Sequence, residues 1–212
     1  MRLGIDFGTT RTVVAIALDG RYGLASFDVD GEFRDYLPGL LAWCGGELRW
    51  GWDALAELEQ RPEGVMRSLK RVASLVGPDG IALQVGEQAF TGLDLVVGFL
   101  RYLKRMLVER SNLEIEPGEA LECFVAVPAN ANTRQRYLTL EAFRIAGFDV
   151  VRMINEPTAA AIEFAYRHQR ALSDRSPKRY VLVYDLGGGT FDISAVSLEG
   201  RRFELLASEG IN

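Results

Sequence analysis

Leu3-Gly4-Ile5-Asp6-Phe7-Gly8-Thr9-Thr10 near the start of the chain is matched by Leu182-Val183-Tyr184-Asp185-Leu186-Gly187-Gly188-Gly189-Thr190 near its end. In both stretches an apolar run closes on Asp and turns through glycine and threonine. A second apolar run follows, Val13 to Leu18 in one copy and Ile193 to Leu198 in the other, each ending in a turn at Asp19-Gly20-Arg21 or Glu199-Gly200-Arg201. The spacing from Asp to the closing glycine is nearly equal, 14 residues from Asp6 to Gly20 and 15 from Asp185 to Gly200. The pattern predicts two strand–turn–strand hairpins at opposite ends of the chain, an internal repeat.

Such a turn has a specific chemistry. Glycine lets the backbone take positive φ and come close to a ligand. Successive backbone N–H groups in the turn form a nest for anions, and threonine hydroxyls add donors. An aspartate beside bound phosphates repels them unless a divalent cation intervenes, so Asp6 and Asp185 imply Mg²⁺, held largely through water. A lone glycine hairpin is equally well a plain turn; two copies with matching Asp, Gly and Thr favour phosphate binding. The other common phosphate fingerprints are absent, since no glycine precedes Lys70, Lys104 or Lys178 and no G-x-G-x-x-G occurs.

Between the hairpins, apolar strands alternate with helical stretches, an α/β signal. Residues 22–29 read as a third strand, and 37–43, 47–51 and 81–85 as strand-like pieces of an irregular insertion with a helical piece near 64–76. Residues 93–110 are the clearest helix: Val96, Phe99, Leu100, Leu103, Met106 and Leu107 form one apolar face, and Thr91 with Asp94 makes a capping-box start. A strand at 121–127 stops at Pro128, a helix at 133–146 ends at Gly147, and a strand at 149–154 leads to a helix at 157–167 that Pro157 opens. A charged connector at 168–179 precedes strands at 180–186, 191–198 and 202–207.

The chain has 212 residues, 24 Lys and Arg against 29 Asp and Glu, and a net charge of −5. Mild acidity weighs against nucleic acid as a partner. No apolar run approaches the roughly 20 residues that span a bilayer, and the first residues lack a signal-peptide pattern. Cys44 and Cys123 are far apart, and His168 is the single histidine, so a disulfide framework, a cysteine zinc site and a histidine-based triad are all disfavoured. Trp43, Trp50 and Trp52 read as packing within the insertion.

Three segments together resemble the signatures of the seventy-kilodalton heat-shock (DnaK-type) chaperones: Asp6-Phe7-Gly8-Thr9-Thr10, Asn155-Glu156-Pro157-Thr158-Ala159-Ala160-Ala161 and Asp185-Leu186-Gly187-Gly188-Gly189-Thr190-Phe191-Asp192. The first is shared across the actin-like ATPase superfamily; the second and third point to the chaperone branch. The resemblance implies an actin-like ATPase (ribonuclease H-like) α/β fold. It places 1–34 and 115–177 in the inner subdomain of a first lobe, 35–114 in its outer insertion, and 178–212 as the opening strands of an incomplete second lobe. The adenosine-binding segment, interlobe linker and peptide-binding domain are expected further along a longer, cytoplasmic protein.

The resemblance also assigns roles. Gly8, Thr9 and Thr10 and the loop Gly187-Gly188-Gly189-Thr190 would hold the phosphates of ATP or ADP. Asp6, Asp185 and Asp192 would place Mg²⁺ through water, with K⁺ a further candidate near Asp192. Lys70, Glu156, Asp185 and Thr190 would meet at the γ-phosphate, Glu156 orienting the attacking water. Pro128 and Arg136 match a relay that couples nucleotide state to peptide binding. ATP hydrolysis in the full-length protein would drive clamping of unfolded peptide clients with co-chaperones. Alternatives of the same superfamily are a small-molecule kinase, an actin-like filament subunit and a nucleotide-sensing scaffold. Arg11, where the family commonly has tyrosine or asparagine, and Pro128-Ala129-Asn130-Ala131-Asn132 depart from the family pattern and mark a divergent member. The 212-residue chain by itself is expected to bind ATP weakly, to be inactive as an ATPase, and to self-associate through 180–207, where Val181, Val183, Ile193, Val196, Leu198, Leu205 and Leu206 are left partly uncovered.

Overall fold

The computed structural model describes residues 1–18, 20–60, 64–168, 179–187, 191–199 and 202–211. Among the described residues sixteen strands and five helices make a mixed α/β chain that divides into two compact units. One unit comprises residues 1–125 and 132–152, the other 126–131 and 153–212.

The first unit is built on the opening hairpin. β1 (Arg2–Phe7) pairs antiparallel with β2 (Arg11–Leu18), with Asp6 opposite Val13 and Phe7 opposite Thr12. Strand alternation puts Leu3, Ile5 and Phe7 into the core and Asp6 on the exposed face. The sheet runs β13–β12–β1–β2–β3, where β3 is Arg21–Leu24, β12 is Glu122–Val127 and β13 is Asp149–Asn155. β6 (Leu37–Pro38) adds to β2, with Arg11 opposite Pro38.

Helix α3 (Gly92–Glu109) starts in the expected box: Asp94 N–H donates to Thr91 Oγ1, and Asp94 accepts from Thr91 N–H. All six apolar residues predicted for its inner face are buried. α4 (Thr133–Ile145) begins with an equivalent box between Asn132 and Gln135, and Gly147 follows it at φ 85°. Phe7, Phe99, Phe143 and Phe148 join sheet to helices, with ring centroids 5.7 Å apart for Phe7–Phe99, 6.2 Å for Phe7–Phe143 and 5.4 Å for Phe143–Phe148. At the start of the chain the Met1 ammonium donates to Ala120 O at 2.8 Å and pairs with Glu119 at 2.7 Å.

The insertion differs from its sequence reading. The strand expected at 22–29 is two: β3 ends at Leu24, and β4 (Phe27–Val29) pairs with β5 (Glu32–Arg34) in a separate sheet. The break follows from remote hydrogen bonds, because Asp28 N–H donates to Arg110 O and Asn112 N–H donates to Ser26 O, drawing the chain to the end of α3. The run at 37–43 is divided at Gly39 into β6 and β7 (Leu40–Cys44), which pairs with β8 (Glu47–Trp50) and β9 (Val65–Arg67). β9 occupies the first part of the helix expected at 64–76, and α2 (Leu69–Val76) is shorter. Helix α1 (Gly51–Gln60) and strand β11 (Gln88–Thr91), which pairs with β10 (Ile81–Val85), were not anticipated. The tryptophans pack as expected: Trp43 lies 6.0 Å from Phe90, Trp52 5.1 Å from Tyr36, and Trp50 covers Gly98 so closely that a Cβ there would strike the indole.

In the second unit, β14 (Tyr180–Leu186), β15 (Phe191–Glu199) and β16 (Arg202–Ile211) form an antiparallel sheet, β16 running beyond the expected 202–207. A register shift interrupts the β15–β16 pairing at Ala195 and Val196. Helix α5 (Glu156–Arg167) packs on this sheet. Ser194 and Val196 are buried, and Val181, Val183, Leu198 and Leu205 are half-buried. That face is thus only partly covered, as expected from sequence for Val181, Val183, Leu198 and Leu205, whereas Val196 is fully buried. The uncovered face carries the opposite residues of β14: Tyr180 is 62 %, Leu182 50 %, Tyr184 64 % and Leu186 81 % exposed. Ile193 and Leu206 are exposed, as anticipated. His168 caps α5 with its exposed ring stacked on Phe164. Most of the connector expected at 168–179 lies outside the described residues. Among the described residues no helix is long and apolar enough to cross a membrane.

Candidate functional site

The predicted site residues fall into two groups, one in each unit. In the first unit, Asp6 ends the exposed face of β1, and Gly8, Thr9 and Thr10 form the turn into β2. The turn closes tightly on itself: a Cβ at Gly8 would lie 2.5 Å from Arg11 O. It is also braced from outside. Gly39 N–H donates to Thr10 O at 2.8 Å, and a Cβ at Gly39 would lie 2.7 Å from Thr9 O. Only glycine permits either approach. Gly39 was not among the predicted site residues; the Pro38-Gly39 dipeptide is the signal that marks it.

Lys70 reaches this turn from α2. Leu69 N–H donates to Gly39 O at 3.4 Å, which ties the start of α2 to the brace, and the Lys70 ammonium sits 5.4 Å from the Phe7 ring centroid. A cation over an aromatic face is attracted by the ring's electron-rich face. Residues 62 positions apart in sequence, Gly8 and Lys70, are thus gathered by one backbone contact and one ring contact. Ser68, just before α2, has a left-handed backbone at φ 59° and makes no side-chain cap. Arg136 lies within α4, half-buried.

In the second unit, Asp185 of β14 stands directly across from Asp192 of β15. Like charges at paired positions repel. The Asp192 carboxyl is accordingly pushed up from its ordinary pKa, by burial first and by Asp185 second. Asn130 Nδ2 donates to Asp192 Oδ1 at 3.5 Å, and Gly210 leaves room for that carboxylate, which a Cβ would strike. Asn130 is a neighbour that the sequence reading did not assign to the site. Gly187 follows β14; Gly188, Gly189 and Thr190 of the same predicted loop lie outside the described residues. Pro128 follows β12, and Glu156 is the first residue of α5, half-buried, ahead of Pro157.

Both groups fit a polyphosphate with a divalent ion. The first has a glycine turn that no side chain could occupy, with a lysine beside it. The second is a carboxylate pair whose mutual repulsion a cation would relieve. Among the described residues no three His, Cys, Asp or Glu side chains gather into a metal-holding cluster.

Comparison with known proteins shows the family. The family model described as Hsp70 protein matches residues 75–211. Chaperone protein HscA of Serratia proteamaculans is 36 % identical across 98 % of this chain and 34 % of its own length. Chaperone proteins DnaK of Mycoplasmopsis synoviae and of Halobacterium salinarum are 33 % and 34 % identical across 99 % of this chain, and 32 % and 30 % of their own lengths. The chain belongs to the Hsp70 family. It spans about a third of the length of the curated relatives it matches.

Proposed function

We propose that this chain is the opening part of an Hsp70-type nucleotide-binding domain with the actin-like ATPase fold, binding ATP or ADP with Mg²⁺. The observation that carries the reading is the braced glycine turn after Asp6 with the Lys70 ammonium beside it. In this reading the backbone N–H groups and hydroxyls of Thr9 and Thr10 donate to phosphate oxygens, and Lys70 balances charge on the transferring phosphoryl group. Magnesium, when bound, neutralises phosphate charge. Asp6 and Asp185, with Asp192 alongside, orient the water around the ion, and Gly187 to Thr190 supply the second phosphate loop. Glu156 orients the attacking water.

The lobe assignment implied by the resemblance belongs to the same proposal: 1–34 and 115–177 with the outer insertion 35–114, then 178–212 opening a second lobe. So do the Pro128 and Arg136 relay, K⁺ binding near Asp192, cytoplasmic location, and the clamping of unfolded peptides with co-chaperones in the longer protein.

Magnesium dependence tests the reading. ATP affinity, measured by calorimetry, is expected to fall strongly in EDTA, since two carboxylates and a triphosphate repel without the ion. In the longer protein, Lys70→Ala should reduce turnover far more than affinity, because its charge matters most where charge develops. Equal affinity with and without Mg²⁺, or full turnover in the lysine variant, contradicts the assignment.

A further inference from the structure

Resting on the nucleotide reading above, we propose that Arg11 is a second phosphate-binding cation of the β1–β2 turn, held ready on an aromatic platform made by Tyr36 and Trp52. Arg11 follows Thr10 directly. Because Asp6 pairs with Val13, and Arg11 lies two residues before Val13, Arg11 shares the face of the hairpin that carries Asp6. Phe7 and Thr12, on the opposite face, are buried in the core. The residues on either side of the turn thus each engage a cation: the Lys70 ammonium lies over the ring of Phe7, just before Gly8, and Arg11, just after Thr10, lies over Tyr36.

The platform fixes where Arg11 rests. Its guanidinium carbon lies 4.6 Å from the Tyr36 ring centroid. The strand pairing of Arg11 with Pro38 brings Tyr36 within reach, and the Tyr36 ring leans on Trp52 at 5.1 Å. Trp52 is itself fastened twice: its indole N–H donates to Tyr36 O at 3.1 Å, and its backbone N–H donates to Tyr102 Oη at 3.2 Å. Tyr102 is a buried residue of α3, so the platform is anchored in the core.

A surface arginine ordinarily spreads over many rotamers, and ordering it on a ligand costs conformational entropy. Stacking on a ring removes part of that cost in advance. A guanidinium against an aromatic face keeps its in-plane N–H edge for phosphate oxygens, which it grips as a fork. The ligand chemistry implied is the β- and γ-phosphate end of a nucleotide rather than its base or its α-phosphate.

The test compares ADP, AMP and inorganic tripolyphosphate, each with Mg²⁺, by calorimetry on the 212-residue chain and three variants. Arg11→Ala should weaken ADP and tripolyphosphate by about tenfold and leave AMP unchanged. Arg11→Lys keeps the charge without the fork and should recover only part of that loss. Tyr36→Leu keeps Arg11 but removes its seat, and should weaken the same two ligands by about threefold. Unchanged ADP and tripolyphosphate affinity in Arg11→Ala overturns the inference, as does an equal loss for AMP, which would mark a general disturbance of the fold. Those outcomes leave the nucleotide reading standing. An unsubstituted chain that binds none of the three ligands even at concentrations on the order of 10 mM, where weak binding is still read, overturns that reading, and the inference with it.

Discussion

Gly39 has no side chain to offer chemistry, yet the conformation of the Thr9-Thr10 turn depends on it. A Cβ there would press to 2.7 Å of Thr9 O. Gly39→Ala should therefore displace the turn and weaken Mg-ATP binding by at least tenfold. Thermal stability should fall as well, because Gly39 is buried beside Leu37 and Pro38 and the clash is with backbone. Calorimetry beside a melting curve separates the two effects.

Asp192 makes a prediction with a pH signature. Its folded-state pKa is raised, so its contribution to stability is fully present below the ordinary carboxylate range and is lost as the pH climbs through the raised value. Asp192→Asn should remove that dependence and, at neutral pH, stabilise the β14–β16 unit by about 0.5 kcal/mol through loss of the like-charge pair. Melting curves across the acid range without metal would show it. A variant that melts lower than the parent at pH 7 and keeps the parent's acid profile would refute the pairing. These residue-scale features were unequally legible. Asp6, Gly8 and Asp185 stand out because their chemistry is written in a repeat. Asn130 and Tyr36 act through neighbours distant in sequence, and no local pattern marks them; Gly39 is signalled only by the Pro38-Gly39 dipeptide.

Among the elements, α3 and the two hairpins were legible because their periods are strong. Ten buried positions of α3 follow one helical stripe, and its cap is spelled out by Thr91 and Asp94. Replacing Thr91 by Ala should cost about 1 kcal/mol in chemical denaturation, the usual worth of an N-cap. Phe143→Ala, which empties the ring cluster beneath β1, should cost about 3–5 kcal/mol. The insertion was harder. α1 begins in Trp50-Gly51-Trp52, where aromatic residues favour a strand, and only the positive φ of Gly51, 56°, turns the chain into the helix. The strand pair β4–β5 exists because backbone groups at the end of α3 capture Ser26 and Asp28. Hydrogen bonds spanning 80 or more residues leave no trace in a local window.

For the molecule as a whole, the open face of β14 is the feature with the largest physical consequence. Tyr180, Leu182, Tyr184 and Leu186 form a continuous uncharged stripe along a strand at the edge of its sheet. Apolar stripes on strand edges drive association. Light scattering of the 212-residue chain should show self-association that rises with concentration. Leu182→Lys, placed mid-stripe, should suppress it while leaving the circular dichroism spectrum unchanged. A parent chain that stays monomeric at high concentration would show that the stripe is no docking surface.

The contact made by Met1 bears on how the protein can be handled. Its ammonium is a structural ion, bound to a carbonyl of residue 120 and to Glu119, whose carboxyl is held below its usual range chiefly by that hydrogen bond. Any affinity tag joined ahead of Met1, or acetylation of its nitrogen, turns that ion into a neutral amide. The seam between β1 and the segment before β12 then loses its ion pair and Glu119 returns toward an ordinary carboxylate, while the bond from Glu122 N–H to Met1 O and the Arg2–Glu122 pair still hold the strand.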